Sequence, residues 1–115
     1  MSLLQIAFFF FAAIAAGGVL MALLIVFKVR LPSYFGPAHG IGGLAALALL
    51  FFANLGLGDA TPESAWWALG VFTAGLIGGL LFFRVLFKQS APLWLIAGHG
   101  SLGIVGLYLL YGAAF

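Results

Sequence analysis

Apolar residues gather along the chain into four unbroken stretches, roughly 3–27, 35–55, 64–86 and 91–114. Each holds about 20 residues or more, and at about 1.5 Å per residue such a helix crosses a hydrocarbon layer about 30 Å thick. No segment alternates polar and apolar residues with period two over about ten positions, so a transmembrane β-barrel is not the pattern. Short polar breaks separate the stretches, which makes sequential helices antiparallel neighbours. The pattern predicts an all-α fold, an integral membrane four-helix bundle. The first stretch is read as a retained helix, because no basic segment precedes it and no polar domain follows it.

Composition sharpens this picture. The chain of 115 residues is 66% hydrophobic and 5% charged, whereas soluble domains carry about a quarter of their residues as Asp, Glu, Lys and Arg. So little polar surface cannot hydrate a globule, and the lipid bilayer is the expected solvent. The absence of cysteine excludes disulfides, iron–sulfur clusters and thiolate zinc sites. The net charge of +2 does not point to nucleic acid. Lys28, Arg30, Arg84 and Lys88 flank the first and third connections, and Asp59 and Glu63 lie in the middle one. The positive-inside rule then places the first and third connections in the cytoplasm and both termini on the non-cytoplasmic side of the cell (inner) membrane. Trp66, Trp67, Trp94 and Tyr34 fall near helix ends, where amphipathic rings anchor at an interface.

The two halves resemble each other. At a shift of 60, Phe27-Lys28 meets Phe87-Lys88, Pro32 meets Pro92, Tyr34 meets Trp94, and His39-Gly40 meets His99-Gly100. Gly18 meets Gly78 under the same shift. Leucine and glycine matches follow from composition alone; Lys, Pro and His in common register do not. The expected organisation is two tandem transmembrane hairpins, 1–58 and 61–115, forming one membrane domain. Each copy has an even number of crossings, so a pseudo-twofold axis along the membrane normal should relate them. Pro37 has no counterpart, its partner being Ala97. The second helix should therefore start late, with Pro37 in its first turn, or bend there.

His39 and His99 are the only histidines, and the repeat puts them at one depth on the second and fourth helices. On the second helix His39, Gly43 and Ala46 share a face; on the fourth, His99, Gly103 and Gly106 do. Two neutral nitrogen ligands beside small residues suit a flat macrocycle held between helices, with haem b as the expected cofactor and His39 and His99 as its metal ligands. Arg30 and Arg84 are the better candidates to pair with its propionates, since a guanidinium holds a carboxylate bidentately. Each ligand needs an acceptor for its second ring proton, a freed carbonyl near Pro32, Pro37 or Pro92, or Ser101 for His99.

In these elements, His39-Gly40 and His99-Gly100 with small residues behind them, the chain resembles the membrane cytochromes b. That resemblance implies electron transfer through the membrane or to a quinone; many such proteins stack two haems with two histidines per ligand helix, whereas one histidine on each helix here allows at most one bis-histidine haem, near the cytoplasmic side. With almost no extramembrane surface, the expected setting is a homo-oligomer or a small subunit of a larger redox complex. Two other readings stay open: a structural or assembly subunit whose histidines only pack, and a small proton- or ion-conducting transporter.

Overall fold

A computed structural model describes residues 1–88 and 90–115. The described residues form four long helices and no strand: α1 (Leu3–Val26), α2 (Phe35–Leu57), α3 (Glu63–Leu80) and α4 (Leu93–Ala114). All four are long and apolar enough to cross a membrane, α3 together with the turn that extends it to Leu86. Each helix lies within a few residues of the stretch that predicts it.

Local chemistry sets the boundaries. Ser2 caps α1 by accepting from the Gln5 N–H, while Gln5 Oε1 accepts from the Ser2 N–H, a reciprocal capping box. At the other end Lys28 N–H donates to Ile25 O and Val29 N–H to Leu24 O, which satisfies carbonyls that the helix would leave open. That closure puts Lys28 at φ 57°, and Lys88 in the third connection sits at φ 46°. Pro37 is the third residue of α2, where its missing N–H costs no helical hydrogen bond. The late start predicted for α2 is thus observed: α4 begins at Leu93, one residue after Pro92, whereas α2 begins three residues after Pro32. Thr61 Oγ1 closes the far end of α2 by donating to Asn54 O and Gly58 O.

The helices pack as a ring, α1 against α2 and α4, and α3 against the same two. This sets α1 diagonally across from α3, and α2 across from α4. Small side chains on α1 and α3 therefore do not mate into a broad helix–helix seam; a Cβ at Gly17 or Gly70 would meet nothing within 4 Å. The diagonal is bridged by aromatics instead. Phe11 stacks on Phe72 with ring centres 3.7 Å apart and planes at 4°. Phe11 is thus a core residue, while Phe9, Phe10, Phe51 and Phe52 are exposed. Around the stack lie Leu4, Ala7, Ala46, Leu47, Leu50, Ala65, Ala68 and Leu110, all buried.

Residues in like places on α2 and α4 are 60 apart, as Ala46 and Gly106 or Leu50 and Leu110 show. On α1 and α3 they are 61 apart: Leu4 and Ala65, Ala7 and Ala68, Phe11 and Phe72. The single offset of 60 read from the sequence needs this correction. The change falls between Gly79 and Lys88, where residues Leu81–Leu86 take the wider π-helical turn and Phe87 N–H reaches back five residues to Phe82 O.

Candidate functional site at the histidine pair

His39 occupies the second turn of α2 and His99 the second turn of α4, about 6 and 9 Å along their helices at 1.5 Å per residue. Both lie toward the end of the bundle that carries Lys28, Arg30, Arg84 and Lys88. Because α2 and α4 are diagonal, the two imidazoles meet across the interior. Their ring centres are 6.2 Å apart and their planes 64° apart.

Each ring rests on a glycine of a neighbouring helix. A Cβ built on Gly18 would stand 3.0 Å from His39 Cε1, 3.7 Å from Nδ1 and 3.8 Å from Nε2. At Gly79 the distances to His99 are 3.1, 3.7 and 3.8 Å. The two seats agree to 0.1 Å, so α1 and α3 present their histidines in the same way. Sequence reasoning missed both seats. The signal was present as two Gly-Gly pairs, 17–18 and 78–79, which align only at an offset of 61. Phe83, also missed, sets its ring edge-on to His99 at 5.3 Å.

The polar atoms here are short of partners. His39 Nδ1 is buried and accepts or donates no hydrogen bond among the described residues. The imidazoles do not bond to each other either. With each nitrogen about 1.1 Å from its ring centre, a 6.2 Å separation leaves about 4 Å between the nearest nitrogens, beyond hydrogen-bond range. Ser101, an expected acceptor for His99, donates back to Ala97 O at 2.8 Å on its own helix.

Of the small residues expected beside the histidines, half lie in open space. A Cβ on Gly43 or Gly103 would meet nothing within 4 Å, so one turn deeper than the histidines there is unfilled room. Two turns deeper the expected slot is closed. A Cβ on Gly106 would fall 2.5 Å from Phe72 Cε1, and Ala46 is fully buried. The glycine at 106 admits Phe72, and the Phe11–Phe72 stack forms a floor under the pair.

The two arginines separate. Arg84 reaches from α3 to the first turn of α2, its Nη2 3.2 Å from where a Gly36 Cβ would stand, three residues before His39. Arg30 is exposed in the first connection. Among the described residues no group of three or more His, Cys, Asp or Glu comes together. Glu63 accepts from Trp67 Nε1 at the opposite end of the bundle. The only buried polar side chain there is Asn54, sealed with neither amide atom paired among the described residues. Buried leucines, alanines and the phenylalanine stack lie between Asn54 and the histidines, with no polar side chain among them.

A groove of about 220 Å³ runs between α3 and α4, and His99 forms part of its wall. No known protein family, curated protein or solved structure matches the chain.

Proposed function

We propose that this chain is a membrane cytochrome of the b type, built from two duplicated hairpins about a pseudo-twofold axis along the membrane normal, which holds one haem b between His39 and His99. The observation that carries this reading is the separation of the two imidazoles on diagonal helices. Metal–imidazole bonds run about 2.0–2.1 Å, so two imidazoles trans on one metal have ring centres about 6.2–6.4 Å apart. The observed 6.2 Å matches that span.

The donor set favours a macrocycle over a bare ion. Two imidazoles without a third protein ligand leave a metal ion unsaturated, and a haem supplies its own four equatorial nitrogens. The orphaned Nδ1 of His39 supports a ligand as well. The lack of side chains at Gly43 and Gly103, where a Cβ would meet nothing within 4 Å, is compatible with a bulky group one turn deeper than the histidines, and the phenylalanine stack lies deeper still. Arg84, lying against α2 near the histidines, is the residue to hold a propionate.

When bound, such a group supplies one-electron redox chemistry between ferric and ferrous iron. The chain contributes two neutral ligands, an apolar wall and a cation at the rim. The basic connections then face the cytoplasm and the termini face outward. With one haem near one side, the chain spans only part of an electron path, and a homo-oligomer or partner membrane subunits complete it. The apolar core between the histidines and Asn54 offers no side chain to relay a proton or hold an ion, which favours the cytochrome reading over a conducting one.

The test is an absorption spectrum of the protein purified after haem-replete expression. A sharp reduced-minus-oxidised difference band is expected, and His39→Ala and His99→Ala should each abolish it. A colourless protein would overturn the reading.

A further inference from the structure

We propose that the basic end of the bundle holds two anionic phospholipid headgroups, one on Lys28 and one on Lys88. Among the described residues three have positive φ, and they divide by end. Gly58 closes α2 at the end that carries Asp59 and Glu63, with φ 54°. Lys28 follows the last turn of α1 at φ 57°, and Lys88 follows the turn that extends α3 at φ 46°.

A helix ends in this left-handed conformation most cheaply on glycine, because a Cβ there crowds the following carbonyl. The chain holds 17 glycines and uses one at the acidic end, yet both positions at the basic end carry lysine. The helix dipole is too weak a reason. A cation just past an exposed C-terminus gains less from the dipole than a Cβ loses in the left-handed turn. Nor does the chain supply a counter-ion. Its two carboxylate side chains, Asp59 and Glu63, lie at the opposite end, and both lysines are exposed. Backbone strain kept at two such places points to a partner outside the chain.

Depth names that partner. Each lysine ends a helix long enough to span the hydrocarbon, so its ammonium stands at the level of lipid phosphates. An exposed aromatic residue follows each lysine at the start of the next helix, Tyr34 after Lys28 and Trp94 after Lys88, and such rings anchor at the headgroup level. Because α1 and α3 are diagonal, the lysines stand at opposite corners of the bundle, and each takes its own headgroup. Neither corner involves the histidine pair, so these sites hold with or without a haem.

The test places full-length protein in vesicles of phosphatidylcholine, with and without phosphatidylglycerol. Native mass spectrometry of the protein released from them counts the phosphatidylglycerol that stays bound. The parent should keep two molecules. Lys28→Gly and Lys88→Gly should each lose one, through a fall of about fivefold in affinity at that site. The double glycine variant should keep none, and Lys28→Arg with Lys88→Arg should keep both. In phosphatidylcholine alone the glycine variants should be at least as stable to heat as the parent, because the strained turn is relieved. A lower midpoint there would show that the lysines serve their own helix ends. Two lipids retained by the double glycine variant would show that the rest of the surface binds them. Either result overturns the proposal. Inorganic phosphate is added to the phosphatidylcholine samples as well: a lysine-dependent rise in midpoint would make free phosphate the ligand and overturn the lipid assignment, whereas no rise, beside two lysine-dependent lipids, supports it.

Discussion

Gly18→Ala adds one methyl group at the seat of His39, and its effect can be worked from the geometry. The new Cβ would stand 3.0 Å from His39 Cε1. Carbon pairs settle at about 3.5–4.0 Å, so the imidazole must retreat by a few tenths of an ångström. Metal–ligand distances tolerate about 0.2 Å, so the displaced ring can no longer hold the position that ligation demands. Changes to groups that orient a metal ligand typically cost about 10–100-fold in affinity, or about 1.4–2.8 kcal/mol. Haem affinity should fall by that factor. The helix itself does not suffer, because alanine is favoured over glycine by about 1 kcal/mol in a helix interior. Haem titration followed by the difference spectrum, alongside far-UV circular dichroism, separates the two effects. The neighbouring glycine is the control: a Cβ at Gly17 meets nothing within 4 Å, so Gly17→Ala should bind haem normally. Gly79→Ala should behave like Gly18→Ala, and Gly78→Ala, with only an ordinary 3.9 Å contact to Phe82, like the control. Equal affinities for Gly18→Ala and the parent protein, or equal losses for Gly17→Ala and Gly18→Ala, would refute the seating argument.

Three further outcomes follow from the packing. Asn54→Leu should raise the thermal midpoint of the bundle, since it removes two buried, unpaired amide atoms worth about 1–3 kcal/mol; a lowered midpoint would mean that the amide has a partner such as a bound water. Gly42→Leu should destabilise by about 1–3 kcal/mol through its clash with Ile14, and adding Ile14→Ala should recover most of the loss, as a double-mutant cycle in denaturant would read. Gly106→Ala forces a methyl into Phe72, whose ring cannot withdraw while it stacks on Phe11, so its cost should shrink in a Phe72→Leu background; additive costs would rule out that contact.

Much of this protein was written in its hydrophobic pattern. Helix number, extent and class follow from apolar run length and from the scarcity of charge, because a chain with 5% charged residues has few ways to satisfy its backbone outside helices in lipid. The two histidines and their place toward one end of the bundle were legible too, since Lys, Pro and His recur in register at 60. Sequential neighbours were legible in the short connections, but the rotation of each helix was not, because it depends on contacts between faces that the apolar pattern leaves nearly uniform. The ring order placed α2 and α4 on a diagonal and brought His39 and His99 to 6.2 Å. It also assigned Gly18 and Gly79 as seats, and gave Gly106 to Phe72 rather than to an open slot. A glycine's role depends on what lies across from it, and that neighbour is set by rotation of one helix against another. A one-residue change of offset turns a helix by about 100°, and only the folded bundle decides it.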